Sequence, residues 1–173
     1  MNIVLKTGLL AALTTATLLL AHPNRAVAQT ATTADDEAIR KVIIDEADAW
    51  IRHDVQGWAS AWIDSPLTSV ANNGGPGIVI YRKGFAELRQ IEEKRATLPP
   101  TTTLDSREDW HIRVVGNMAW ARHIQHFTLQ KTNTKLTGFD LKVLEKINGQ
   151  WKISTSSWMG DYQNASPPMK STY

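Results

Sequence analysis

His123, Gln125 and Glu108 are the residues of this chain whose types and spacing could do chemistry. A carboxylate that holds an imidazole fixes its tautomer and raises its basicity, which makes the two a general acid–base pair. His123 and Gln125 stand two apart in an alternating segment, so on a strand they share one face. Glu108 lies on the preceding alternating segment, diagonal to His123 across a turn at Gly116-Asn117. Trp110 and Phe127 would wall this group. The plainer alternative is that His123 is a hydrogen-bonded core residue and Glu108 sits at a solvated strand end.

Other signals point elsewhere. His123 and His126 have the spacing of a helical metal pair, but on a strand an odd spacing puts them on opposite faces, so no metal site is expected. The GGPG run leads into a strand instead of a helix, so it is no phosphate cradle, and no cofactor is expected. Trp50, Trp58 and Trp62 could stack against a ring-shaped ligand or form plain core. Tyr81 could offer a hydroxyl to the same cavity. Trp120 falls among charged residues, where a large exposed aromatic suggests a self-association surface.

Composition removes whole classes. Among 173 residues there is no cysteine, which excludes a disulfide scaffold, a thiolate zinc site, a cysteine nucleophile and a lipid-anchored N-terminal cysteine. A hydrophobic share of 42% with 7 tryptophans is too apolar for a disordered chain. Lys6, the uncharged apolar run of residues 8–21 and the small-x-small motif Ala26-Val27-Ala28 form a secretory signal, cleaved after Ala28. The apolar run is shorter than the roughly 20 residues that span a bilayer. Cleavage removes Lys6 and Arg25, so Lys plus Arg falls from 19 to 17 against 17 acids. A mature chain of zero formal charge has no field that favours nucleic acid or an anionic membrane. The expected organisation is 1–28 signal peptide, 29–34 loose, 35–162 a single domain and 163–173 a loose tail, exported to the periplasm or the medium.

The domain divides into helices and then strands. Thr33 caps a helix whose first turn carries Asp35, Asp36 and Glu37, acids suited to the positive helix end. Ile39, Val42, Ile43, Ala47, Trp50 and Asp54 form its inner face. Gly57 interrupts, and a short second helix presents Trp58, Ala61 and Trp62. A strand near 67–71, a turn through NNGGPG and a short strand at 78–81 follow. Phe85, Leu88 and Ile91 mark a third helix.

From Thr103 the period becomes two. The Gly116-Asn117 turn pairs Val115 with Met118, Ile112 with Ala121, Trp110 with His123 and Glu108 with Gln125, leaving Arg107, Asp109 and His126 outside. A second hairpin about Thr132-Asn133-Thr134 brings Phe139, Leu141 and Val143 beside Phe127, Gln125 and His123, and sets His126 against Asp140 on the outer face. At the third hairpin, Asn148-Gly149 favours a two-residue turn that points Ser154, Ser156 and Trp158 inward. Placing Trp151 beside Ile147 instead needs an extra loop residue or a bulge and turns Thr155, Ser157 and Met159 inward. The second option is preferred, because burial at about 25 cal/mol per Å² makes Trp151 and Ile153 valuable core.

Three N-terminal helices followed by a curved antiparallel sheet resemble the nuclear transport factor two-like superfamily in its SnoaL-like branch. The resemblance is carried by DDEAIRKVIIDEADAWIRHDVQGWASAWIDS, VIYRKGFAEL, VVGNMAWARH and LKVLEKINGQWKIS. It implies an α+β cone, a cystatin-like roll in which helices close one side of the sheet around a deep pocket, and a homodimer through the sheet's outer surface. Isomerase-like members carry a base Asp just after the second helix, where this chain has SPLTSVANN, and a tyrosine on the first helix, where Trp50 stands. Two functions follow as expectations. One is a binding module for a small apolar or aromatic molecule or a protein partner, with Trp50, Trp62, Tyr81, Trp110, Gln125 and Phe127 as ligand contacts. The other is a cofactor-independent isomerase, dehydratase or hydrolase with His123 as acid/base and Glu108 orienting it.

Overall fold

A computed structural model describes residues 33–75, 77–162 and 164–165; the expected signal peptide and nearly all of the tail lie outside the described residues. Three helices, α1 (Thr33–Arg52), α2 (Val55–Ser60) and α3 (Phe85–Arg95), pack on six strands. The strands are β1 (Ser69–Gly75), β2 (Ile78–Lys83), β3 (Thr102–Val115), β4 (Met118–Leu129), β5 (Thr134–Ile147) and β6 (Gln150–Gly160). Their order across the sheet is β2-β1-β6-β5-β4-β3. The fold is α+β as the sequence implies, with one correction: β1 runs parallel to β6, so the sheet is mixed instead of wholly antiparallel.

α1 buries Ile39, Ile43 and Ala47, spaced four apart, against the sheet. Its first turn is tied to the far hairpin, where Asp35 accepts from Trp151 Nε1 at 2.9 Å and from Lys146 Nζ at 2.7 Å. The chain breaks at His53, whose φ is +60°, and Asp54 caps α2 by accepting from Gly57 N at 2.9 Å. Gly57 therefore lies inside α2 and does not interrupt it. A Cβ there would sit 2.3 Å from Asp54 Oδ2, so the cap needs glycine. Trp58 stacks on Phe85 and tilts against Trp62, joining the helices to Leu144, Trp151 and Ile153 in one core.

The first hairpin keeps the expected register from Val115–Met118 to Ile112–Ala121. Beyond it Asp109, at φ +52°, and Trp110 oppose the single residue His123, a bulge that shifts the next pairs by one until a second bulge at Asp105 brings Leu104 back opposite Phe127. Arg107 now pairs with Gln125 and turns inward, while Glu108 pairs with Ile124 and turns outward. At the second hairpin Leu129 pairs with Thr134 across a four-residue connection, 130–133, in which Asn133 has φ +52°. The partners of Phe127, Gln125 and His123 are Leu136, Gly138 and Asp140, so Phe139, Leu141 and Val143 face outward, opposite to expectation. A one-residue change of register inverts a strand's faces, and apolar alternation misleads here because both faces carry apolar residues.

The third hairpin keeps its two-residue Asn148-Gly149 turn and buries Trp151 and Ile153 as well. Both requirements are met because β5 turns its even-numbered residues inward, so the two-residue turn sets Trp151 against Lys146 and Ile153 against Leu144; a bulge at Ser154 follows, inside the strand and not in the loop. Ser156 and Trp158 consequently lie on the inner face, in place of the preferred Thr155, Ser157 and Met159. The bulge coincides with a change of neighbour: Ile153 bonds to Ala61 and Ile63, whereas Thr155 onward pairs with β1. Asn72 and Asn73, read as turn residues, belong to β1, and their amides bond the backbone of Trp158 and Gly160.

Candidate functional site

Between Gly138 and Leu144 the strand β5 turns its charged residues into the protein. Asp140 and Lys142 are buried to within a few per cent, as are Gln125, Ser156 and Glu46, and His123 has no exposed surface. Lys142 Nζ is central, 3.0 Å from Glu46 Oε2, 3.4 Å from Asp140 Oδ2 and 3.1 Å from Ser156 Oγ. Trp62 Nε1 donates to the other Glu46 oxygen at 3.3 Å. One ammonium thus lies between two carboxylates. Burial works against the Lys142 charge, but Asp140 and Glu46 outweigh it and hold its pKa above the usual lysine value. Burial above all, with Glu46 adding to it, raises the pKa of Asp140 despite Lys142.

His123 joins this row through β4. Gln125 Nε2 lies 2.8 Å from His123 Nε2 and 3.5 Å from Asp140 Oδ2, and His123 Nε2 is 3.8 Å from the same carboxylate oxygen. The Asp109 bulge swings Trp110 over the imidazole, with ring centres 4.0 Å apart and planes 4° from parallel. Arg40 covers the indole, 4.9 Å from its centre. Desolvation, then the charges of Lys142, Arg107 and Arg40, push the His123 pKa down to about 3. The ring is neutral at ordinary pH and can neither donate as an acid nor act as an effective base.

The expected site residues separate into three groups. His123, Trp110, Gln125 and Phe127 share the inner face, and Trp62 reaches the same network through Glu46. Glu108 does not meet His123: the bulge places it outside, 2.9 Å from His126 Nε2, and His126 bonds Thr137 and not Asp140. Tyr81 is exposed on the outer face of β2, paired with Ala71, and offers no hydroxyl to the interior. Trp50 belongs to a surface cleft of about 180 Å³ with His53, Arg95, Leu98 and Pro99, where the Arg95 guanidinium stacks 4.3 Å from its ring.

Glu46, Asp140 and Lys142 escaped the sequence reading. Glu46 lies three residues after Ile43 and seven after Ile39, so a carboxylate interrupts an apolar helical stripe, which is itself a signal. Asp140 and Lys142 share a face by their spacing of two, but the assumed register put that face in solvent.

No family model matches the chain, and neither does any curated protein. Solved structures do. A protein with a cystatin-like fold from Nostoc punctiforme aligns with a TM-score of 0.63 at 16% identity, over 78% of this chain and 96% of that one. The chain has the nuclear transport factor two-like fold. A nuclear transport factor two-like protein from Pseudomonas putida gives a TM-score of 0.63 at 14% identity, over 82% of this chain and 96% of its own. A candidate scytalone dehydratase from Novosphingobium aromaticivorans gives 0.60 at 16%, over 73% and 84%. At such identities the likeness is one of fold, which fixes no chemistry.

Proposed function

We propose that this chain is an exported, SnoaL-like binding domain that takes a small organic molecule on the aromatic inner face of its sheet. One observation carries the proposal: the row Glu46–Lys142–Asp140–Gln125–His123 is buried where a purely structural core would place aliphatic side chains. A buried ion cluster rarely adds stability over well-packed apolar residues of the same volume, so its presence calls for another use. Trp110, Phe127 and Trp158 supply apolar surface around it. Export is supported by the apolar run and the Ala26-Val27-Ala28 motif. Thermal-shift screening of the mature chain against small organic molecules, with mass spectrometry of whatever co-purifies, tests the proposal. A ligand should raise the unfolding midpoint by mass action. A screen in which nothing raises it and nothing co-purifies overturns the proposal.

The enzymatic alternative draws support from neighbours of the same fold that are candidate dehydratases and a candidate ketosteroid isomerase. Its proton carrier would be Asp140, whose raised pKa suits that work, and not His123. Asp140→Asn separates the two: a binder keeps its ligand, whereas an enzyme of this kind loses at least about a hundredfold in rate. We further propose that the outer face of the sheet pairs two copies of the chain, because Tyr81, Val79, Met159 and Trp120 are exposed there beside half-buried Phe139, Leu141 and Val143.

A further inference from the structure

Glu108, His126 and Thr137, one from each of three neighbouring strands, join into a relay on the outer face. Glu108 Oε1 on β3 lies 2.9 Å from His126 Nε2 on β4, and His126 Nδ1 lies 3.0 Å from Thr137 Oγ1 on β5. His126 and Thr137 are direct cross-strand partners. Glu108 reaches them because the stretch 106–108, between the bulges at Asp105 and Asp109, turns it outward.

The two ring nitrogens have different roles. A carboxylate only accepts, so Nε2 carries the proton and donates to Glu108. In the neutral ring Nδ1 is then the acceptor, and the Thr137 hydroxyl donates to it. A hydroxyl bonded to a base whose far nitrogen is held by a carboxylate is the arrangement of an activated nucleophile. Unlike buried His123, this imidazole is one-third exposed, and Thr137 beside it is open to solvent.

The flanking rows define what would fit. Ile124 pairs with Phe139 on one side, both half-buried, and forms an apolar ledge. Thr128 pairs with Lys135 on the other, where Lys135 Nζ lies 2.9 Å from Thr128 Oγ1 and 3.3 Å from Asp105 Oδ2. An aryl group suits the ledge, and a carbonyl oxygen suits the cation.

We propose that Thr137 is a nucleophile for acyl transfer from aryl esters of small carboxylic acids, with His126 its base and Glu108 the positioning residue. Thr137 Oγ bonds to the ester carbonyl carbon while its proton passes to His126 Nδ1. The bond from that carbon to the aryl oxygen breaks, and the proton leaves with the phenol. Water then attacks the acyl-threonine, yielding the carboxylic acid and restoring the hydroxyl. This activity is separate from the inner-face ligand proposed above, and each stands or falls alone.

The probe is para-nitrophenyl acetate, applied to the mature chain and to Trp120→Glu, so that pairing through this face cannot cover the relay. The wild type should release nitrophenol and carry a hydroxylamine-labile acetyl ester on Thr137 in acid-quenched digests. Thr137→Ser should keep both, and Thr137→Val should lose the ester. His126→Phe should slow formation of the ester about a hundredfold or more, the usual acid–base contribution. Glu108→Gln should slow it as well, and ¹⁵N spectra should find the His126 proton divided between Nε2 and Nδ1, a change that a merely structural role would not produce. Equal release by the wild type and Thr137→Val overturns the proposal, as does acetyl found on lysines alone. So does a wild-type His126 proton found on Nδ1, a reading that needs no variant to fold.

Discussion

His123 and His126 stand three residues apart on β4, and each lies within 4.0 Å of a carboxylate, yet they live in opposite media. His123 is fully buried, packed under Trp110 and near Lys142, Arg107 and Arg40. His126 is about one-third exposed and bonds Glu108 and Thr137 at the rim of the outer face. The inner pair is defined by desolvation, which keeps the imidazole neutral and raises the carboxylate. The outer pair is screened by water and has little leverage on stability. Residue type sets what a side chain could do, but the face it occupies decides whether it does it.

The largest break in this contrast comes from removing one cation on each face. Lys142→Met leaves Glu46 and Asp140 buried without their counter-ion and should cost about 3–5 kcal/mol in urea unfolding. Arg122→Met removes the exposed ion pair with Asp109 and should leave the midpoint nearly unchanged. Replacing Glu46, Asp140 and Lys142 together by Leu, Leu and Met should recover most of the loss, since no buried charge is left unpaired. Equal effects of the two single changes would show that the inner charges are not desolvated.

Acid sharpens the same contrast. A histidine held near 3 in the folded state, against 6.5 when unfolded, contributes stability that is complete above pH 6.5 and lost as pH falls toward 3. Asp140 acts in the opposite sense, because its raised pKa makes protonation favour the folded form as pH falls. His123→Gln removes the first contribution and retains the second. The stability of the wild type relative to that variant should therefore fall by on the order of 3 kcal/mol between pH 7 and pH 4, as read from urea titrations at each pH. A pH-independent difference would mean that the imidazole protonates freely and the inner face is wet.

Element order, the three helices and two of the hairpin turns were legible in the sequence because each depends on local chemistry: acids at a helix start, Gly-Asn and Asn-Gly at turns, apolar spacing of four or of two. Register was not. The bulges at Asp109 and Ser154 carry no composition signal of their own; Asp109 is merely a residue that tolerates positive φ. Each bulge exchanges the faces of the residues beyond it as far as the next irregularity, which moved Glu108 out, Arg107 in and Trp158 in. The connection at 130–133 had the same effect on β5 and hid the Asp140–Lys142 pair. His123, Gln125, Trp110 and Phe127 were found because they lie on the well-registered side of those irregularities or on β4 itself.

The outer face offers the gentlest test. Trp120 pairs with Val143 on one side and Arg113 on the other and remains 38% exposed, so an acid at this position meets water and cations and not a core. Trp120→Glu should shift folding stability by no more than roughly half a kcal/mol, as surface substitutions do. Association is another matter, because in a two-fold contact between sheet faces each copy contributes the same patch and the introduced charge enters the interface twice. Sedimentation should find the wild type dimeric and the variant monomeric at equal concentration. An unchanged oligomeric state would reassign the exposed apolar residues of this face to ordinary surface, while a variant that unfolds would mean that the outer tryptophan is core after all and that the two faces differ less than their exposures imply.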